Sequence, residues 1–148
     1  MSETILEISC SIGTTDPLAG LELEILLDDQ VIFPATRIIN TINFTHNMSD
    51  ADGQHCLEFV MKNKTTEHTT IDQQGNIVKD ACLIISNLAF DQIELKQIFI
   101  DQAVYTHNFN GTRPETQDKF YDNMGCNGRV KLNFTTPMYL WLLENMWH

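Results

Sequence analysis

Apolar and polar residues alternate along much of the chain, with the period of two that is typical of half-buried β-strands. In residues 21–27 four apolar side chains would lie on one face, and Glu22 and Glu24 on the other. Similar patterns predict strands at 31–33, 37–44, 54–62, 81–90, 97–107 and 129–135, separated by turns and by polar loops at 45–53, 63–80 and 108–117. This spacing, without βαβ alternation, predicts an all-β antiparallel β-sandwich, jelly-roll-like, in a single domain over residues 1–148.

The C-terminal residues, about 137–147, are predicted to form a short α-helix. Thr136 is expected to cap it, because its hydroxyl can accept a hydrogen bond from a free backbone N–H, and Pro137 suits the first helical position. The segment is apolar nearly all round and cannot be solvated on every face. It must therefore dock, either on its own sandwich or on a partner.

The charge of the chain restricts its partners. Nine Lys and Arg residues oppose twenty Asp and Glu residues, for a net charge of −11. Because nucleic-acid affinity depends on basic residues that displace counterions, DNA and RNA are disfavoured, and so are anionic membranes. No apolar run approaches the roughly 18 residues of a membrane-spanning helix. The first four residues lack the basic and apolar regions of a signal peptide, which predicts synthesis in a cytoplasm.

No motif in the sequence supports catalysis. The four cysteines, at 10, 56, 82 and 126, are widely spaced and are expected to be reduced, buried thiols. Neither a Gly-x-Ser-x-Gly elbow nor a cysteine nucleophile motif occurs, and the five histidines have no helical metal-ligand spacing. Paired carboxylates for glycoside hydrolysis remain an open alternative. We therefore expect a non-enzymatic protein without a resident cofactor.

Calcium is the best inorganic candidate ligand. Asp50, Asp52 and Gly53 resemble the start of an EF-hand loop, but the twelfth position, which needs a bidentate glutamate, is Met61. A different calcium site in a sandwich loop stays open, beside the alternative that these are solvated turn aspartates. The candidate ligands for such a site are Asp28, Asp29, Asp50 and Asp52.

Sugar binding is a further possibility that the sequence allows. It would need exposed aromatic rings beside side chains that hydrogen-bond to hydroxyl groups. Most aromatic residues of this chain lie in alternating patterns that are typical of a core. The candidate rings are Tyr105, Phe109, Tyr121 and Trp141.

Residues 52–61, Asp-Gly-Gln-His-Cys-Leu-Glu-Phe-Val-Met, lie downstream of an acidic-turn hairpin at 21–33. Together these segments resemble small xylan-binding-type carbohydrate modules. The resemblance extends over the first 65 residues or so. It implies a jelly-roll core, often with calcium.

Residues 76–146 carry a second resemblance. Its motifs are Leu-Ala-Phe-Asp-Gln-Ile-Glu-Leu at 88–95, Phe-Ile-Asp-Gln-Ala-Val-Tyr-Thr-His at 99–107 and Thr-Thr-Pro-Met-Tyr-Leu-Trp-Leu-Leu-Glu-Asn-Met at 135–146. These motifs resemble small virion structural proteins of marine tailed bacteriophages such as cyanophages. The resemblance implies a virion component, made in the host cytoplasm and oligomeric in the particle. It leaves capsid decoration, neck, tail and fibre attachment open, and it carries over no catalytic residue.

The main functional prediction is a non-enzymatic structural component of a tailed-phage virion, which binds other virion proteins through sheet edges, loops or the C-terminal helix. The alternative is a carbohydrate-binding module, with or without calcium, that contacts host glycans. The residues expected at the binding surface are Tyr139, Trp141, Leu142, Trp147, Tyr105 and Phe109.

Overall fold

The computed structural model describes residues 4–64, 69–71, 73–75, 77–108, 111 and 113–146. Most of the elements are strands. Apolar side chains at every second position can all be buried on one side of the chain only if the backbone is extended. In chain order the elements are β1 (Ile5–Thr14), a 3-10 turn (Pro17–Ala19), β2 (Glu22–Leu27), β3 (Gln30–Arg37), β4 (Ile42–Ser49), β5 (Gly53–Lys62), β6 (Thr69–Ile71), β7 (Ile77–Asp80), β8 (Leu83–Phe90), β9 (Ile93–Glu94), α1 (Lys96–Gln102), β10 (Val104–His107), β11 (Thr116–Lys119), β12 (Asn123–Met124), β13 (Gly128–Thr136) and α2 (Met138–Met146).

Two antiparallel sheets face each other across the core. Sheet I has the strand order β12-β8-β1-β4, with β9 also paired to β8, and sheet II has the order β11-β10-β13-β5-β2-β3. Strands β6 and β7 form a separate hairpin. The rings of Phe90 on sheet I and Phe134 on sheet II lie with their centroids 4.9 Å apart, so the inner faces are in contact. The predicted antiparallel β-sandwich with a short C-terminal helix is confirmed.

Helix α2 docks on its own sandwich. The ring centroid of Trp141 lies 5.7 Å from that of Phe90 and 6.1 Å from that of Phe134. Trp141 and its neighbour Leu142 are each only 5% exposed. Burial of side chains of this size contributes roughly 1.5–3 kcal/mol each, which holds this face of the helix on the core rather than on a partner.

The first turn of α2 is capped by a residue other than the predicted one. The backbone N–H of Met138 donates to Oδ1 of Asp50 at 2.8 Å, so a carboxylate lies at the positive end of the helix. The hydroxyl of Thr136 instead donates to the carbonyl of Ala51, because Thr136 is still the last residue of β13. The prediction that Thr136 caps the helix is therefore wrong.

Residues 97–107 do not form the single strand that their apolar content predicts. They divide into α1 and β10, with Ala103 between them. The reason is the spacing of the buried positions: Leu95, Ile98 and Phe99 are all inward, and residues three and four apart share a face only in a helix. The N–H of Phe99 accordingly donates to the carbonyl of Leu95 at 2.7 Å.

The N-terminal part of sheet I also departs from the sequence prediction. Strand β1 was not predicted, although its residues at 6, 8, 10 and 12 are buried and alternate with polar or exposed ones. The predicted strand at 37–44 is interrupted after Arg37, and β4 continues to Ser49 through the first part of the predicted loop at 45–53. The cause is tertiary: β4 pairs with β1 along its whole length, from Ile42 opposite Ile12 to Ser49 opposite Ile5.

Candidate functional site

An open groove of about 620 Å³ lies on the outer face of sheet II. Its floor follows from the alternation in β13: the apolar residues at 130, 132 and 134 are buried in the core, so the residues between them point outward. These outward residues are Arg129, Lys131 and Asn133. Strands β10 and β11 extend the floor, and the segments at 107–108, 115 and 127–128 form its end.

The strand register arranges the floor in cross-strand rows. Thr106 of β10 lies directly opposite Gln117 of β11 and Arg129 of β13. In the next row Val104 lies opposite Lys119 and Lys131. Side chains that are directly opposite in antiparallel strands have Cβ atoms roughly 4.5–5.5 Å apart, so each row presents adjacent side chains to one ligand.

An ion pair fixes one side chain of the floor. Nη1 of Arg129 donates to Oε2 of Glu58 on the adjacent strand at 2.8 Å. Glu58 is 4% exposed, and a buried carboxylate is tolerated only with a charged or hydrogen-bonded partner. The Arg129 side chain keeps half of its surface exposed, so it stays accessible from the groove.

Gly128, where β13 begins, permits a close approach of two strands beneath the groove. A Cβ at this position would lie 2.4 Å from the carbonyl oxygen of Thr106 and 3.0 Å from Cβ of His107. Only glycine allows β13 and β10 to pair this closely at the groove end.

Tyr105 and His107 point inward from β10 and support the groove from beneath. The hydroxyl of Tyr105 donates to the carbonyl of Cys126 and accepts from the N–H of Cys126 at 2.9 Å. Burial raises the pKa of Tyr105, so the phenol keeps its proton. Nε2 of His107 lies 2.8 Å from Oδ2 of Asp118, which links β10 to β11.

The predicted binding residues are divided by their burial. Tyr105, Trp141 and Leu142 are each 5–6% exposed, which corrects their prediction as surface contacts, because their side chains are used in the core. Tyr121 and Tyr139 are exposed. Phe109 and Trp147 lie outside the described residues. No Phe, Tyr or Trp in the described part of the chain lines the groove.

The four candidate calcium ligands are not gathered at one point. Asp28 accepts from the N–H of Cys56 at 2.8 Å through one oxygen and lies 2.7 Å from Nδ1 of His55 through the other. Asp50 caps α2, while Asp29 and Asp52 are exposed. Within the described ranges, no three His, Cys, Asp or Glu residues are placed so that they could hold a metal ion. Calcium binding stays a prediction, without a preformed site among these four residues.

Asp28, His55 and Thr136 form a chain with the residue types of a catalytic triad. Nδ1 of His55 faces the Asp28 carboxylate, and Nε2 lies 3.1 Å from Oγ1 of Thr136. However, the hydroxyl of Thr136 donates its single proton to the carbonyl of Ala51, so it has none to give to His55. A nucleophile needs the opposite direction, with its proton given to the histidine. Thr136 is also only 2% exposed, so a substrate could not reach its hydroxyl. The chain of bonds instead holds together the ends of β2, β5 and β13.

The cysteines carry free thiols that differ in burial. Cys10 is buried as predicted, whereas Cys56, Cys82 and Cys126 are only half-buried. Burial raises the pKa of the Cys10 thiol to about 12. Burial also raises the pKa values of the other three, and nearby carboxylates add to the effect. All four are therefore poor nucleophiles near neutral pH.

Two further observations concern surfaces. Helix α2 turns Tyr139, Leu140 and Leu143 outward, and each is 50–56% exposed. Across the described residues, none of the helices combines the length and the apolar character that crossing a membrane would require.

No protein-family model matches the chain, and no curated protein matches it. Among solved structures it is similar to one described as a vCBM60 in complex with galactobiose. The two share 11% sequence identity and a TM-score of 0.48, over 86% of this chain and 98% of the other. A likeness at this level transfers no ligand and no residue role.

Proposed function

We propose that this protein is a non-catalytic carbohydrate-binding domain, and that the groove on the outer face of sheet II holds the ligand. The observation that carries the proposal is the groove floor. It combines an open shape with outward polar side chains at successive cross-strand positions. These are Thr106, Gln117, Arg129, Lys131 and Asn133.

The floor matches the hydrogen-bonding chemistry of sugars. A sugar hydroxyl both donates and accepts, and the side-chain amides of Gln117 and Asn133 do the same, while Arg129 supplies several donors in one plane. Because these side chains stand on paired strands, the backbone is already ordered, and little conformational entropy is lost on binding. The volume of about 620 Å³ is within the range of small-ligand sites, and the open ends suit a segment of a longer saccharide.

The placement of the carboxylates supports binding without hydrolysis. Glycoside hydrolysis needs two carboxyl groups on either side of the scissile bond. Of the acidic residues around the groove floor, Glu58 is buried and held by Arg129, and Glu115 lies at the groove end. The Asp28–His55–Thr136 chain offers no nucleophile either, because its hydroxyl is buried and already donates to Ala51.

A glycan array followed by calorimetric titration tests the proposal. The variant Gln117→Ala/Asn133→Ala should bind the best glycan about tenfold or more weakly, equivalent to about 1.4 kcal/mol, with an unchanged unfolding temperature. Asn47→Ala is the matched control, since Asn47 is an exposed amide on the opposite sheet. The proposal is wrong if no glycan binds, or if the groove variant and the control bind equally well.

A second candidate function, docking on another protein, is supported by the outward face of α2. Tyr139, Leu140 and Leu143 form an exposed apolar strip on a helix whose other face is already buried. This surface is compatible with the virion role that the sequence resemblance implies, and it carries nothing specific to a virion.

The structure determines how the docking candidate must be tested. Deletion of residues 138–148 would remove Trp141 from the core, so loss of function would only report unfolding. Leu140→Ser/Leu143→Ser leaves the buried face intact. Incorporation of this variant into phage particles should fall below that of the wild type; equal incorporation of folded protein would exclude the strip as the interface.

A further inference from the structure

We infer that the ligand of the groove is an acidic glycan, which carries carboxylate or sulfate groups among its hydroxyls. The inference rests on the proposed function and narrows it to one chemical class. It follows from the distribution of charge between the outer face of sheet II and the rest of the chain.

The basic residues of this strongly acidic chain are concentrated on the outer face of sheet II. Of the nine Lys and Arg residues of the sequence, five stand on this face, against three acidic ones on its strands. Three further carboxylates lie at its margin, those of Glu115 at the groove end and of Asp28 and Asp29 beside Asn133. The placement follows from the register, because residues directly opposite in antiparallel strands share a face. The basic residues are Arg37, Lys62, Lys119, Arg129 and Lys131, and the acidic ones are Glu22, Glu24 and Glu58.

Two of these acids are already engaged by basic side chains. Glu58 holds Arg129 at 2.8 Å, and Glu24 lies 3.7 Å from Nζ of Lys62. No carboxylate of the described residues forms a salt bridge with Lys119 or Lys131. The two ammonium groups are therefore available to an anionic ligand.

The geometry of these two lysines suits an extended ligand. Both lie opposite Val104, on the strands to either side of β10, so their Cα atoms are roughly 10 Å apart across three strands. Thr106, Gln117 and Asn133 lie in the neighbouring rows. A polysaccharide with a charged group on every sugar, or on every second sugar, also has hydroxyl groups between the charges. Along this face its charged groups could contact the two ammonium groups, and its hydroxyl groups could contact the hydrogen-bonding side chains.

A nucleic acid fits this surface less well than an acidic glycan. No Phe, Tyr or Trp among the described residues lines the groove, whereas single-stranded nucleic acids bind by base stacking on such rings. Duplex DNA carries one charge per about 1.7 Å of axis, which the acidic remainder of the protein would repel. The lower charge density of a glycan reduces that repulsion.

Calorimetric titration with matched oligosaccharides tests the inference. The probes are a neutral galactan, an oligogalacturonate, a sulfated galactan and a single-stranded oligonucleotide, all at one ionic strength. We expect at least one of the two acidic probes to bind tenfold or more tightly than the neutral one, with an affinity that falls as salt rises. The carboxylated and sulfated probes distinguish which anionic group is recognised.

Variants identify the source of the preference. Lys119→Gln/Lys131→Gln should lose about tenfold more affinity for the acidic probe than for the neutral one, because glutamine removes the charge and still forms hydrogen bonds. Lys96→Gln is the control, because Lys96 is an exposed lysine on α1, away from this face. Equal binding of neutral and acidic probes overturns the inference and leaves the proposed function standing. Tighter binding of the oligonucleotide than of either acidic probe overturns the inference, and binding of no saccharide overturns both.

Discussion

The ion pair of Arg129 and Glu58 holds one side chain of the groove floor in place. The carboxylate of Glu58 is almost completely buried, while half of the arginine side chain is in solvent. Water can replace the partner of the arginine far more easily than that of the glutamate. Loss of the arginine should therefore cost stability because a buried carboxylate is left without its partner.

The variant Arg129→Met should lower the free energy of unfolding by about 1–3 kcal/mol. Glu58→Gln/Arg129→Met should recover part of that loss, because an amide is less costly to bury than a carboxylate. Urea unfolding measures both. Lys131→Met, on the same face and without an ion pair among the described residues, is the control and should change stability by roughly 0.5 kcal/mol at most. A fully stable Arg129→Met variant would contradict this account.

Strand β13 shows which features of the groove can be predicted from the alternation of apolar and polar residues and which cannot. The alternation in 129–135 correctly predicts that Val130, Leu132 and Phe134 face the core. The same alternation exposes Arg129 and Lys131, but it does not reveal which strands lie beside them. The groove depends on the register with 104–107 and 116–119, which tertiary pairing sets, so these residues were not predicted as a site.

At the scale of elements, helix α2 depends on its docking face and on its cap. Residues in the first turn of a helix have backbone N–H groups without partners inside the helix. The carboxylate of Asp50, brought in by the β4–β5 connection, accepts one of them. The cap could not be predicted from local sequence, because it comes from a residue 88 positions away.

Replacement of this cap should weaken the helix measurably. Asp50→Ala should lower the free energy of unfolding by about 1 kcal/mol, within the usual range of 0.5–2 kcal/mol for lost caps. Asp50→Asn should lose less, since the amide oxygen can still accept. Asp52→Ala, an exposed aspartate of the same loop, serves as the control in denaturant titrations. Similar losses for Asp50→Ala and Asp52→Ala would indicate that the cap contributes nothing.

Two segments show where the spacing of apolar residues gives a wrong secondary structure and where it gives the right one. The segment 97–107 contains enough apolar residues for a buried strand, and only the adjacency of Ile98 and Phe99 on the inward side reveals the helix. By contrast, β1 has a clear alternation with Leu6, Ile8 and Ile12 buried, so this strand was predictable from the sequence. Helix and strand are hardest to distinguish in short apolar stretches.

For the whole molecule, buried thiols link stability to alkaline pH. The pKa of Cys10 is raised from 9.0 to about 12 by burial, so the folded state favours the protonated thiol. A group with a raised folded pKa contributes its full stabilisation below the unfolded value, and this is lost as pH rises through the folded value. The protein should therefore lose stability between about pH 9 and pH 12.

Urea unfolding at intervals from pH 8 to 11 measures this loss. Cys10→Ala should show a shallower decline than the wild type, whatever its stability at pH 8, because the thiol that must ionise is gone. The comparison of slopes separates ionisation from the packing defect of the variant. Parallel declines in the two proteins would show that Cys10 does not couple folding to pH.

The bond between Asp50 and Met138 has a consequence for biosynthesis. The loop that holds Asp50 joins sheet I to sheet II, and the N–H of Asp50 also donates to the carbonyl of Thr4 at 2.9 Å. This end of the sandwich therefore closes only when a residue made 88 positions later has left the ribosome. At roughly 5–20 residues per second, about 3–10 s pass between the synthesis of Phe90 and that of Trp141, the residue of α2 that covers it. In that interval the nascent chain stays soluble only if it aggregates slowly or if a chaperone binds the apolar surface that α2 will later cover.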